Sequence, residues 1–206
     1  MRTRTAIGTA VAATAIGGLL FTSGAVAVAD HPIRNAGTTG VSAGPCRGSG
    51  FAEGSGMMGA RPASAPLTTQ QKTTLAALAE EEKLAHDVYV ALDADNGDAR
   101  FSRIATAEQG HLSMLRTLMA RYDVTDPTAG QAAGAFRSSA VARHYTDLVA
   151  RGTKSLAAAL EVGRSIERAD ITDLNAAGQH LEAADVSMVY AHLSMASAQH
   201  LRAFGG

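Results

Sequence analysis

The chain has 206 residues, one cysteine, no tryptophan and a formal net charge of −1 at pH 7. A single cysteine excludes an intramolecular disulfide scaffold and a zinc site built from several cysteines. The near-neutral charge and the aromatic content of 4% are not typical of nucleic-acid binders, which use basic surfaces and rings that stack on bases.

Residues 1–29 have the pattern of a secretory signal peptide. Arg2 and Arg4 precede an uncharged run from Ala6 to Ala29, and small residues suit cleavage near Ala27 to Ala29. The alternative is a retained membrane anchor, because the run is long enough to span a bilayer. Its low leucine content favours cleavage. We therefore expect a secreted or cell-envelope protein, with no stable membrane insertion after cleavage.

Residues 30–66 are expected to form a flexible linker. This segment holds four of the five prolines and eight of the 21 glycines, and such a composition buries too little apolar surface to offset the entropy of ordering. Cys46, Met57 and Met58 lie within it, and their sulfur atoms could hold Cu(I). We prefer the simpler interpretation, an exposed thiol and exposed methionines in a tail.

The rest of the chain, residues 67–206, has the pattern of one helical domain. Its apolar residues recur with a helical period, and no segment alternates as a strand does. Thr68 or Thr69 is the expected cap of the first helix, Asp185 is the expected cap of the fifth, and the fourth is expected to reach Leu181. We predict five helices, over about 68–94, 101–122 and 138–150, then from near Thr153 or Ser155 and from near Asp185.

The lengths of the connections predict the topology. Few residues join the first helix to the second or the fourth to the fifth, so each pair is expected to be antiparallel. About thirty residues, including the short third helix, separate the second helix from the fourth. Two antiparallel hairpins joined by one long crossover form a ferritin-like four-helix bundle. That all-α architecture is the predicted fold.

Each long helix carries an ionisable side chain at the centre of its apolar face. When the helices are projected at ~100° per residue, these central positions are Glu82, Glu108 with His111, Glu167, and His200. A lone buried carboxylate costs several kcal/mol unless it is paired, protonated or bound to a metal. Because no lysine or arginine occupies a central position, the pattern predicts one or two divalent cations, and the alternative is a buried polar network without metal.

The spacing and height of these residues agree with a metal site. Glu108 and His111 are three residues apart, so they lie on adjacent turns of one face, as in carboxylate-bridged di-iron and di-manganese bundles. Glu82 lies about twelve residues before its helix is expected to end, and Glu108 lies about eight after the next begins. At ~1.5 Å per residue their heights agree within about 6 Å.

Four segments of the chain resemble a bacterial ferritin-like family of unknown function, within the superfamily of ferritins and rubrerythrins. They are EEEKLAHDVY (80–89), FSRIATAEQGH (101–111), LEVGRSIERADITDL (160–174) and SAQHLRAF (197–204). The resemblance covers residues 68–204. It implies a four-helix bundle with a metal pair, ligated by one Glu from each of two helices and by Glu-x-x-His from each of the other two.

The positions that match these implied ligands are Glu82, Glu108, His111, Glu167 and His200. The chain departs from the pattern at Ser197, where the last motif should offer a glutamate. Three alternatives remain for the sixth ligand: water completes the ligand set, Asp170 contributes a ligand, or one metal position is weak. The simpler interpretation of Asp170 and Asp173 is a solvated helix face.

Four more side chains lie near the predicted centre. His86 and His192 are interpreted as surface residues or as neighbours of the ligands. Tyr89 and Tyr190 are close enough to donate hydrogen bonds to ligands, although a core aromatic ring with a hydroxyl partner is the commoner case.

Two functions follow from the sequence. The first is an exported oxidoreductase that binds Fe or Mn and acts on peroxide or dioxygen. The second is a non-enzymatic envelope binding or structural module with a single or degenerate metal site, which Ser197 favours. The expected partners are metal ions and no nucleic acid, with a homodimer as the candidate assembly.

Overall fold

The computed structural model describes residues 64–206. The predicted signal peptide, nearly all of the predicted linker, Cys46, Met57 and Met58 lie outside the described residues. Within them the chain is all-helical and has no strand, and no helix combines the length and hydropathy that crossing a membrane requires. The five helices are α1 (Thr69–Asn96), α2 (Ala99–Arg121), α3 (Ser139–Gly152), α4 (Leu156–Ala177) and α5 (Ala184–Ala203).

Local capping explains where most helices begin. Thr68 caps α1 as predicted, in a capping box whose other half is the Gln71 side chain. The N-caps of α2, α3 and α4 are also short polar side chains that accept a hydrogen bond from the first turn; they are Asp98, Ser138 and Ser155. These beginnings are therefore specified by residues adjacent in sequence.

The predicted cap of α5 is wrong. The N-cap is Ala183, which offers no side-chain hydrogen bond, and Asp185 lies inside the first turn. The Asp185 carboxylate accepts hydrogen bonds from Arg121 at 2.7 Å and from the Tyr122 hydroxyl at 2.5 Å. It also accepts one from Ser64 at 2.5 Å. Asp185 thus ties the first turn of α5 to the C-terminal end of α2 and to the chain before α1.

The predicted end of α4 is also wrong. The helix ends at Ala177 with Gly178 as its C-cap, and it does not reach Leu181. The backbone N–H of Gly178 bonds to the Leu174 carbonyl, and the chain then leaves the helical path. The connection to α5 is consequently longer than expected.

The helices form two antiparallel pairs. α1 packs along α2, and α4 packs along α5; α1 also contacts α4, and α2 contacts α5. The short α3 belongs to the long connection between α2 and α4 and packs against both α1 and α4. Gly163 permits the close approach of α4 to α5, because a Cβ there would lie 2.8 Å from the Phe204 ring.

Two apolar clusters fill the core, one on each side of a layer of polar side chains. The first includes Leu75, Leu78, Leu115, Leu118, Leu174 and Leu193. The second includes Val88, Tyr89, Leu92, Phe101, Ile104, Val162, Ile166 and Phe204. On each long helix the residues between the two clusters are those predicted to face inward, so the sequence pattern places polar side chains at one common level.

A second buried polar cluster, the crossover anchor, fixes the long connection to the opposite side of α1. It consists of Glu80, Lys83 and Asp87, all buried. The Lys83 ammonium contacts the Asp87 carboxylate and donates to the Ala132 carbonyl at 2.9 Å. Backbone N–H groups of the connection also donate to both carboxylates of the anchor: those of Arg137 and Ser138 to Glu80, and that of Gly134 to Asp87.

Candidate metal centre

The five predicted ligands meet in the polar layer between the two apolar clusters. Glu108 and Glu167 are fully buried, and Glu82 and His111 are nearly so. The His200 side chain is 12% exposed. Every long helix contributes, because α1 carries Glu82, α2 carries the Glu108–His111 pair, α4 carries Glu167 and α5 carries His200. The residues therefore converge from helices that are far apart in sequence.

The ligand atoms form two groups of three, which we call the triads. One triad is Glu82, Glu108 and His111, and the other is Glu108, Glu167 and His200. Within each triad one ligand atom per residue lies within 4.8 Å of the others. Glu108 belongs to both triads, so its two oxygens lie between two candidate ion positions.

Both imidazoles direct Nδ1 towards Glu108. The His111 Nδ1 is 2.6 Å from Oε2 of Glu108 and 3.3 Å from Oε2 of Glu82. The His200 Nδ1 is 2.9 Å from Oε1 of Glu108 and 3.6 Å from Oε1 of Glu167. The two rings stack at 5.5 Å with an interplanar angle of 20°. The imidazoles thus approach the shared carboxylate from the two triads.

Several of these buried atoms have no hydrogen-bond partner. Glu108 forms close ion pairs with both imidazoles, but these contacts lack the alignment of a hydrogen bond. The unpartnered atoms of the centre are Glu108 Oε1 and Oε2, Glu167 Oε2, Asp170 Oδ2, Ser197 Oγ and His200 Nδ1. Buried polar atoms are normally satisfied, and carboxylate and imidazole donors suit divalent Fe or Mn. The residues present therefore fit a metal ion.

The carboxylates raise the pKa of both imidazoles. Burial alone would lower the pKa of His111, but the neighbouring Glu108 and Glu82 outweigh it and raise that pKa to about 10. For His200 burial is outweighed by Glu108 and Glu167, and the pKa rises to about 9. In the absence of an ion, two imidazolium charges therefore face the carboxylates. Metal binding must displace those protons, because a protonated imidazole offers no lone pair.

The pKa values of the carboxylates are shifted in opposite directions by their surroundings. Burial, reinforced by the charge of Glu108, raises the pKa of Glu82 and of Glu167 above the ordinary value, although the imidazoles act against this. Burial also acts to raise the pKa of Glu108, but His111 and His200 together lower it. Glu108 is consequently the carboxylate that stays ionised between the two triads.

Tyr89 supports the second triad. Its hydroxyl donates to Oε1 of Glu167 at 2.7 Å, from a ring that is fully buried. The ring packs against Phe101 and Phe204 of the second apolar cluster, with ring centroids 6.1 and 5.3 Å away. This arrangement leaves one orientation for the hydroxyl and leaves Oε2 of Glu167 without a donor.

The interpretation of Asp170 as part of a solvated face is wrong. Asp170 is 7% exposed and its Oδ2 has no hydrogen-bond partner, whereas Asp173, one turn later, is half-buried. Burial raises the pKa of Asp170 well above its ordinary value, with further contributions from the charges of Glu82, Glu167 and Glu108. The signal was present in the spacing, because Asp170 follows Glu167 by three residues, as His111 follows Glu108.

Glu81 is a further acid of α1 near the centre, and its side chain is half-buried. Its Oε2 is buried without a hydrogen-bond partner. Burial, with the charges of Asp173 and Glu80, raises the pKa of Glu81 to about 8. The charge of Glu81 also acts on Asp170, so acidic groups continue from the centre along the contact between α1 and α4.

The other predicted neighbours lie apart from the triads. The His86 Nδ1 lies 2.9 Å from the Asp87 carboxylate in the crossover anchor, and His192 is exposed on α5. Tyr190 is buried within the first apolar cluster, where burial raises its pKa. Ser197, at the position expected to carry a glutamate, is 1% exposed.

Residues 71–206 match the family described as "Uncharacterized protein domain (DUF2202)". The chain belongs to this family. It is 36% identical over 139 residues to uncharacterized protein MJ0754 of Methanocaldococcus jannaschii, an alignment that covers 68% of this chain and 75% of the relative. The crystal structure of hypothetical protein MJ0754 from Methanococcus jannaschii matches with a TM-score of 0.68 and 34% identity, over 70% of this chain and 83% of that one.

Proposed function

We propose that this DUF2202 protein is an exported ferritin-like metal-binding protein whose two triads each hold a divalent ion, Fe or Mn. The observation that carries the proposal is the set of buried, unpartnered ligand atoms around Glu108. Without an ion, Glu108 is balanced only by the His111 and His200 imidazoles, which contact it without the alignment of a hydrogen bond. A divalent cation would take the place of the two imidazole protons and satisfy these atoms.

The ferritin-like part of the proposal rests on topology and on the donor set. Two antiparallel helix pairs are joined by one long connection, and the long helices bring carboxylates and imidazoles to one level. Di-iron and di-manganese carboxylate proteins combine this bundle topology with Glu-x-x-His pairs. The Glu108–His111 pair has that spacing. Export is proposed from the pattern of residues 1–29 alone.

In this proposal each residue of the triads has its own role. Glu82 with His111 and Glu167 with His200 would each hold one ion, and Glu108 would contact both. Tyr89 holds the Glu167 carboxylate in one orientation. When bound, Fe or Mn would supply electron transfer to peroxide or dioxygen, which no side chain of the centre provides. The apolar clusters on both sides exclude water from the ligands.

Elemental analysis tests the binding proposal. The full chain would be refolded without oxygen in the presence of Fe(II), Mn(II) or Zn(II), passed through a desalting column, and analysed for bound metal. We expect about two ions of Fe or Mn per chain. Glu108→Gln should lose both, whereas Glu161→Gln, which changes an exposed acid of α4, should keep both. A wild-type protein that retains no metal would overturn the proposal.

The structural observation that favours a non-enzymatic module is Ser197, because a hydroxyl stands where a fourth glutamate is expected. Aerobic Fe(II) titration separates the two functions. An oxidoreductase should consume dioxygen and develop ferric absorption in proportion to added Fe(II), well above the rate without protein. Metal binding with no oxygen consumption above that background would establish the module instead.

A further inference from the structure

We propose that Asp170 supplies the carboxylate that is absent at position 197, so that four carboxylates and two imidazoles hold the pair of ions. This inference rests on the metal-binding function proposed above and adds a ligand to that same site. The ligand class is a divalent cation that prefers oxygen and nitrogen donors, such as Mn(II) or Fe(II).

The register of α4 against α5 sets Asp170 opposite Ser197. Three contacts define this antiparallel register, and they join Gly163 to Phe204, Glu167 to His200, and Asn175 to Ser194. Each turn forward along α4 is therefore matched by one turn backward along α5. Asp170 lies one turn after Glu167, and Ser197 lies one turn before His200. A carboxylate on α4 thus occupies the level at which α5 lacks one.

Both residues at this level are buried and incomplete. Asp170 is 7% exposed and Ser197 is 1% exposed. Asp170 Oδ2 and Ser197 Oγ have no hydrogen-bond partner. A purely structural aspartate in a protein core is normally satisfied by donors, as Asp87 is in the crossover anchor. The Oδ2 of Asp170 lacks such a donor, as is expected of a ligand oxygen in the absence of its cation.

The charge of the centre also requires a fourth carboxylate. The Asp170 carboxyl interacts electrostatically with Glu82, Glu167 and Glu108, with the largest of these contributions from Glu82 on the neighbouring helix. Two divalent ions carry four positive charges, and three glutamates leave one of these charges unbalanced in a buried site. Unbalanced buried charge is costly. With Asp170 ionised, the ions and their ligands sum to zero.

Asp170 is not a member of either triad, so it adds a donor without replacing one already present. The small Ser197 side chain leaves the level free for it. A glutamate at position 197 would place a second carboxylate beside Asp170, and like charges in a buried site repel. Ser197, which departs from the pattern that the resemblance implies, therefore leaves room for the Asp170 carboxylate.

Moving the carboxylate from position 170 on α4 to position 197 on α5 tests the inference. Mn(II) binding to the full chain would be measured by electron paramagnetic resonance, which reports free Mn(II), for the wild type and three variants. Asp170→Ala should retain one ion and weaken the second at least about tenfold. Asp170→Ala/Ser197→Glu should restore two ions with affinity near that of the wild type. Asp173→Ala, which removes the half-buried acid one turn away, should bind as the wild type does.

The outcomes separate this inference from the function on which it rests. A wild type that binds no Mn(II) overturns the proposed function and the inference with it. Two ions bound equally well by the wild type and Asp170→Ala overturn the inference alone. Weakened binding in Asp170→Ala that Ser197→Glu does not restore, with helical circular dichroism intact, shows that Asp170 does not act in place of position 197.

Discussion

Two buried charged clusters share helix α1, and the chain neutralises them differently. In the crossover anchor the Lys83 ammonium contacts Asp87, and backbone N–H groups donate to both Glu80 and Asp87. In the metal centre no lysine or arginine contacts the described ligands, and six side-chain atoms have no hydrogen-bond partner. The anchor is complete within the protein. In the centre the only cationic partners of the carboxylates among the described residues are the His111 and His200 imidazoles, and the proposed metal ions would replace their protons.

The largest expected effect comes from removing the cation of the anchor. Lys83→Met should lower the free energy of unfolding by about 3–5 kcal/mol, because it leaves Asp87 buried without its positive partner. Urea unfolding in EDTA measures the loss, and Lys154→Met, at an exposed site, is the control. Metal stoichiometry should not change. A loss below about 1 kcal/mol would show that the anchor does not depend on Lys83.

The matching change in the centre is Glu108→Gln. With free metal at 100 times Kd, the wild type should gain about 2.7 kcal/mol of stability over the metal-free protein, and the variant should gain almost nothing. Thermal unfolding with Mn(II) and with EDTA measures the difference within each variant, so that changes in basal stability cancel. Glu161→Gln should retain the full gain. An undiminished gain in Glu108→Gln would show that the shared carboxylate is not a ligand.

The pH dependence of the metal-free protein should reflect the centre. His111 and His200 have raised pKa values, as do Glu82, Glu167 and Asp170, so the folded state binds more protons than the unfolded state above about pH 5. Stability should therefore fall as pH rises towards about 9, by on the order of 1 kcal/mol per pH unit for each extra proton.

Metal binding should have the opposite dependence, because the ions compete with those protons. The difference in melting temperature between Mn(II) and EDTA should widen from pH 6 to pH 8. Differential scanning fluorimetry in buffers of equal ionic strength measures both curves. A constant difference across this range would contradict proton displacement by the metal.

The smallest expected effect concerns the support of one ligand. Tyr89→Phe removes the hydrogen bond to Glu167 and keeps the ring contacts with Phe101 and Phe204. We expect roughly tenfold weaker binding of one ion, the usual scale for loss of a group that orients a ligand. Tyr190→Phe, in the first apolar cluster, should leave the affinity unchanged. If Tyr89→Phe bound metal as tightly as Tyr190→Phe, Tyr89 would have no role in metal binding.

Features fixed by neighbouring residues could be predicted from the sequence. The helical period gave all five helices, and Thr68 was among the expected caps because a capping box needs only the next three residues. The convergence of Glu82, Glu108, His111, Glu167 and His200 followed from the same period, since each interrupts an apolar face. Their role as metal ligands stays a prediction.

Features that depend on contacts distant in sequence could not be predicted. Asp185 resembles a cap until Arg121 and Tyr122 engage it from α2. Asp170 resembles a surface acid in the sequence because its burial depends on the packing of α4 against other helices. The sharing of Glu108 between two triads depends on how the helix pairs are staggered, and a helical projection carries no such information.

The polar layer between the two apolar clusters has a consequence for how the protein would keep its fold. An ion in the second triad would join α2 to α5, whose ligands Glu108 and His200 lie far apart in the sequence. Closing so long a loop removes much of the freedom of the unfolded chain. Bound metal would thus act as a reversible cross-link, and the metal concentration around the protein would set the stability of the folded state.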